Sequence, residues 1–264
     1  MSDFDEKPDE LAGTEQPFVS HLIELRDRLI RACIAIAVCF GVLAIYPGPS
    51  GLYDLLAAPL TAHMQQGAGL IATGVISPFL VPMKITLMAA FLLALPVVLY
   101  QAWAFVAPGL YMHEKKLVLP LVISSTLLFF LGVGFCYFFV IGKVFAFIQS
   151  FAPKSVSAMP DIEAYLSFVL TMFIAFGAAF EVPIAVVVLA RLGVVSIDKL
   201  KSFRSYFVVV AFVIAAVLTP PDIVSMLSLA IPMVVLYEVG ILAAGLFIKH
   251  TQAPPDQTGD APTA

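Results

Sequence analysis

Charge is what this sequence has least of. Of its 264 residues only 12% are Asp, Glu, Lys or Arg, while 61% are hydrophobic. Soluble domains carry about 25% charged residues, and the mean hydropathy here is +1.01. So little polar surface excludes a fold that faces water on all sides. Cysteine is nearly absent as well. Cys33, Cys39 and Cys136 lie in apolar runs at no metal or redox spacing and read as small core residues. The histidines are four, His21, His63, His113 and His250, and all fall outside the apolar runs. No serine or cysteine in a run therefore has a base beside it, and "HEKKL" lacks the second histidine of a zinc-protease helix. There is no glycine-rich phosphate loop and no basic patch for nucleic acid. Neither catalysis, nor a cofactor, nor a metal is expected.

What the chain does have is length in its apolar runs. Residues 29–46, 77–102, 117–141, 164–192, 203–218 and 223–248 approach or meet the ~20 residues that carry a helix across a bilayer core. The short alternating segments of a membrane β-barrel are missing. The sequence predicts an all-α polytopic membrane protein of six transmembrane helices, the fifth and sixth short. The membrane domain is expected over 18–248. The acidic leader 1–17 and the Pro-rich tail 249–264 are too polar to pack and are expected to be disordered.

Charge sets the orientation. Eleven Lys and Arg lie in segments 1–31, 103–116, 191–204 and 249–264, against Lys143 and Lys154 in the opposite loops. The bias places both termini in the cytoplasm. The first run opens beside three arginines, Arg26, Arg28 and Arg31, and is followed by "PGPSG", so it reads as a retained anchor and not a cleaved signal.

Local signals refine the picture. "FVSHLIELRDRLI" is an amphipathic helix leading into the first span, with Glu24–Arg28 and Asp27–Arg31 spaced for i,i+4 pairing. In the first outer loop, turn formers Pro47 to Gly51 precede "LYDLLAAPL", a short helix ending near Pro59. Pro78, Pro82 and Pro96 predict a kinked or late-starting second helix. Trp103, Phe105 and Tyr111 suit an interfacial belt. "TPPD" stops the fifth helix and offers Asp222 as N-cap of the sixth.

Few ionisable groups lie inside the runs. Glu181, two residues before Pro183, is either a protonated carboxyl bonded to a neighbouring helix or a carboxylate lining a wet depression. Glu238 poses the same choice between helix glue and function. Lys84 reads as snorkelling to the outer interface. Glu114, at the head of the third span, has a dipole-capping reading that the adjacent Lys115 and Lys116 oppose.

Five stretches taken in order carry a family resemblance: "HLIELRDRL" at 21–29, "SPF" and "PMK" within 77–84, "QAWAFVAPGLYMHEKK" at 101–116, "AFGAAFEVP" at 175–183 and "LTPPD" at 218–222. Together they resemble TatC, the multispanning receptor of the twin-arginine protein translocase. The resemblance implies a cytoplasmic site for signal peptides bearing consecutive arginines, in the bacterial inner membrane. It carries the signal-peptide role to Glu24, Arg26, Phe105 and Glu114, and sets Glu181 in a membrane-embedded concave surface. It further implies TatA and TatB single-span partners, self-association in a larger complex and a proton-motive-force energy source. Two adjacent guanidiniums ask for carboxylates, and bidentate geometry favours arginine over lysine. A competing reading is a six-span proton-coupled transporter with a relay through Lys84, Glu181 and Glu238, although no internal repeat supports it. A third is a structural subunit with no binding site of its own.

Overall fold

The computed structural model describes residues 12–61, 71–106, 118–151, 161–219 and 222–248. Among these the chain forms ten α-helices: α1 Ala12–Ile45, α2 Gly48–Thr61, α3 Ser77–Val106, α4 Val118–Phe135, α5 Ile141–Phe151, α6 Ile162–Phe180, α7 Val182–Arg191, α8 Ile197–Ser202, α9 Arg204–Leu218 and α10 Ile223–Ile248. A π turn, Cys136–Val140, joins α4 to α5, with Ile141 N–H donating to the Cys136 carbonyl. The described residues contain no β-strand, only a single parallel bridge between Ile71 and Asp161.

Six apolar segments emerge, as the hydropathy predicts. Five are long enough to span: Val19–Ile45, Ser77–Val106, Val118–Phe147, Ile162–Arg191 and Ile223–Leu246. The fifth in order, α9, has 15 residues, a rod of ~22 Å against a hydrocarbon core of ~30 Å. The expectation that the sixth is also short is corrected. Helix α10 runs for 26 residues, because Pro232 within it does not end the helix in an apolar setting that rewards backbone hydrogen bonding. The second helix likewise starts on time. Pro78 falls in its first turn, where a missing N–H costs nothing, and Pro82 and Pro96 lie inside one continuous α3. Helix α2 begins at Gly48, with Pro49 in its first turn, and closes at Thr61.

At the N-terminal side, α1 starts at Ala12, inside the stretch expected to be disordered. Extending an existing helix costs far less than nucleating one. The rest of the leader, the tail 249–264, Glu114, Tyr111 and the two prolines of "TPPD" lie outside the described residues.

The chain divides into two compact units, residues 1–127 with 151–170, and 128–150 with 171–264. In the first, α1 packs on α3 and α2. Its inward stripe steps through Glu24, Asp27, Arg28, Ala32, Ile36, Cys39 and Leu43, all buried or half-buried. Leu22, Leu25, Leu29 and Val38 are exposed on the other side. The amphipathic pattern is thus turned outward: apolar residues are exposed, and the charged motif continues the packed face.

In the second unit, the helix crossings are cut by glycines. A Cβ on Gly132 would come within 3 Å of the Phe176 carbonyl oxygen, and one on Gly177 would enter the Phe129 ring. Gly240 brings α10 equally close to Pro183 of α7. Small residues of this kind let membrane helices approach without a hydrophobic driving force. Helix α7 ends in a Schellman motif. Gly193, at φ 70°, follows the cap, and Val194 and Gly193 donate to the carbonyls of Leu189 and Ala190. Ser196 then caps α8 by accepting from Lys199 N–H. Val186, Ala190, Leu200, Tyr237, Ile241 and Ala244 close a core around this elbow.

Candidate functional site

The charged segment of α1 and the last turn of α3 meet in the first unit. Glu24 Oε1 accepts from both Nε and Nη2 of Arg28, at 2.8 and 2.6 Å. This is the i,i+4 pair that the sequence predicts. Glu24 Oε2 stands 3.8 Å from Nδ1 of His21, one turn earlier. The His21 ring in turn lies on Phe105, with centroids 4.3 Å apart and planes 13° from parallel. His21 therefore bridges the two predicted site residues Glu24 and Phe105. Beside them Ser20, Ile23, Glu24, Asp27, Arg28 and Arg31 line an open depression of about 390 Å³.

Arg26 is placed differently. Its side chain is 67% exposed, and its guanidinium binds Asp27 Oδ1 at 2.8 Å. Asp27 is thus taken by its neighbour, and the expected Asp27–Arg31 pair is replaced. Trp103, expected only as a belt residue, donates from Nε1 to the buried Ser125 Oγ at 2.8 Å, tying α3 to α4.

Two groups of residues that the sequence left unpaired carry the rest of the polar chemistry. Within the first unit, Lys84 Nζ donates to Glu163 Oε1 and Ser77 Oγ donates to Glu163 Oε2, each at 2.7 Å. Snorkelling is therefore replaced by a specific ion pair. Next to it, Asp161 Oδ1 accepts from the N–H and hydroxyl of Thr73, and Oδ2 caps α6 through Ala164 N–H. These bonds, the Thr73 hydroxyl foremost, hold the Asp161 carboxyl below its ordinary range. The one available signal was "PDIEAY", an acidic pair at a helix start.

In the second unit, Arg204 Nη2 lies 2.8 Å from Glu238 Oε2. Tyr237 stacks on Phe207 at 3.9 Å and donates its hydroxyl to the Leu200 carbonyl at 2.9 Å. Arg204 heads α9 and Glu238 lies ten residues before the end of α10. The short helix thus begins ~15 Å short of its partner's end. Asp222 caps α10 as predicted, accepting from Ser225 N–H at 2.7 Å. Glu181 occupies the joint between α6 and α7, where Pro183 sits in the first turn, and both its carboxylate oxygens are buried.

No group of three His, Cys, Asp or Glu side chains among the described residues converges as a metal site. The arrangement is that of a multi-pass helical membrane protein with a charged, aromatic rim at one helix end and structural ion pairs elsewhere. Comparison with known proteins gives the family. The model of "Sec-independent protein translocase protein (TatC)" matches residues 20–232. A TatC from Halothiobacillus neapolitanus is 50% identical over 232 residues, 88% of this chain and 63% of that protein. One from Azotobacter chroococcum is 47% identical over 253 residues, 96% of this chain and 97% of that protein. A crystal structure of the twin arginine translocase receptor TatC superposes with TM-score 0.73 at 41% identity, over 86% of this chain and 98% of the other. The chain belongs to the TatC family. It is a protein translocase component, a transport receptor rather than an enzyme.

Proposed function

We propose that this chain recognises twin-arginine signal peptides of folded precursors at the rim formed by α1 and the end of α3, with Glu24 and Phe105 as binding groups. The carrying observation is that His21 brings these two residues to one spot, 3.8 Å from the carboxylate and stacked on the ring. A carboxylate beside an aromatic face suits a guanidinium, which pairs with the first and stacks on the second. Glu114 and Arg26 join the site by resemblance to the family. Glu114 supplies the carboxylate for the second arginine, and the exposed Arg26 lies at its margin. The basic ends of the helices face the cytoplasm of a bacterial inner membrane, and both termini lie there. TatA and TatB single-span subunits assemble on the membrane domain, several copies joining one complex, and the proton motive force drives export. Glu181 is the intramembrane contact for such a partner through the part of its side chain that stays accessible, its carboxylate oxygens being buried at the helix joint.

A transporter relay gains no support. Lys84 is engaged by Glu163 and Glu238 by Arg204, each in a closed pair. The test is cross-linking in membranes. A precursor with Arg-Arg should label this chain strongly and its Lys-Lys variant weakly, with the preference lost in Glu114→Ala. Equal labelling of both precursors by the wild-type chain would refute the reading.

A further inference from the structure

We propose that His21 is a built-in stand-in for a guanidinium: in the free receptor it holds the place, between the Phe105 ring and the Glu24 carboxylate, that one arginine of the ligand takes on binding. This rests on the signal-peptide reading above and names a residue that regulates the same site. Imidazole and guanidinium share the decisive features. Both are flat and delocalised, carry N–H groups in their plane, and stack on aromatic faces. The His21 ring lies nearly parallel to Phe105, 13° off at 4.3 Å, as a stacked guanidinium would.

The hold on His21 is weak by design of the distances. Its Nδ1 is 3.8 Å from Glu24 Oε2, too long for a hydrogen bond. An arginine could approach the same oxygen to about 2.8 Å with charge-assisted, paired N–H bonds. Arg28 occupies only Oε1, so Oε2 is the oxygen facing this space. The His21 side chain is 48% exposed, and rotating it out strips no buried group of a partner. Helix α1 contributes Glu24 and Arg28 as the charged neighbours, while α3 contributes the uncharged Phe105.

An internal competitor also sharpens selection. A ligand that displaces His21 must replace the lost stack. Arginine does so, whereas the compact, strongly hydrated ammonium of lysine does not present a plane to the ring. Removing the competitor should raise apparent affinity by the inverse of the fraction of sites open at rest, about three- to tenfold.

The test uses the full chain in nanodiscs and fluorescent peptides carrying Arg-Arg or Lys-Lys ahead of an apolar stretch. Wild type should prefer Arg-Arg. His21→Ala should tighten Arg-Arg binding about three- to tenfold, and His21→Arg, which installs a stronger internal plug, should weaken it. Unchanged or weaker binding by His21→Ala, while the wild type still discriminates, would overturn the proposal alone. Absence of any preference in the wild type would overturn the underlying reading and the proposal with it.

Discussion

Lys84 donates to Glu163 at 2.7 Å across 79 positions of sequence, joining the first turns of α3 to the start of α6. Ser77 fastens the other oxygen of the same carboxylate. Glu163→Ala loses both bonds, and Lys84→Met loses one while leaving Ser77 in place. Thermal unfolding in detergent should therefore show a lower Tm for both, with the larger fall in Glu163→Ala. The double variant should be no worse than Glu163→Ala alone, since the two act through one pair. An additive double variant would show that the pair contributes nothing.

The neighbouring Asp161 gives a pH dependence of definite sign. Its carboxyl is depressed by the Thr73 hydroxyl and by backbone N–H groups. A depressed acid contributes stability above its unfolded value and loses it as pH falls through the folded value. Tm should stay level from neutral pH to about pH 5 and fall below about pH 4, near the unfolded aspartate value. Asp161→Asn should lower Tm at neutral pH and flatten the acid limb. An unchanged limb in the variant would assign the acid transition to other carboxylates.

How much of this was readable beforehand follows the range of each interaction. The spans were legible because lipid demands long apolar runs, and the Asp222 cap and the Glu24–Arg28 pair because their partners lie three or four residues away. Lys84–Glu163 and Arg204–Glu238 were illegible because their partners lie 79 and 34 positions off, where no periodicity points. Asp27 was misassigned to Arg31 because Arg26, next to it in sequence, competes successfully. At the proposed site, Glu24 and Phe105 were singled out through family resemblance. His21 stood in the same motif, but its stack on Phe105 depends on how α1 leans on α3.

The Arg204–Glu238 pair separates glue from chemistry. Both side chains are substantially exposed, at 48% and 40%, so screening limits the pair to about 1 kcal/mol or less. Glu238→Gln should lower stability slightly and leave precursor export near wild-type levels. The charge swap Arg204→Glu with Glu238→Arg should restore whatever stability the single changes lose. A Glu238→Gln variant that folds normally yet blocks export would make the carboxylate functional.

Asp222 and Ser225 offer opposite outcomes one turn apart. Asp222→Ala removes a helix cap and should cost about 1 kcal/mol. Ser225 is fully buried, and its hydroxyl oxygen has no hydrogen-bond partner among the described residues. Ser225→Ala relieves a desolvated group and should be neutral or stabilising. Chemical denaturation in mixed micelles reads both, and a destabilised Ser225→Ala would point to a partner bound there.

The glycines should sort by what surrounds them. Gly132 faces the Phe176 backbone carbonyl, which cannot move aside without shifting α6, whereas Gly177 faces the edge of the Phe129 ring, which can rotate. Alanine at either site overpacks the crossing, at about 1–3 kcal/mol, and Gly132→Ala should be the worse because backbone yields less than a side chain. Among the described residues, Gly41 and Gly245 have nothing within 4 Å of an added Cβ. There alanine meets no obstacle and gains helix propensity, stabilising by up to about 1 kcal/mol. Four single variants compared by Tm in one detergent should thus split by sign, two down and two level or up. A Gly132→Ala protein as stable as Gly245→Ala would mean that α4 and α6 do not cross at the distance described.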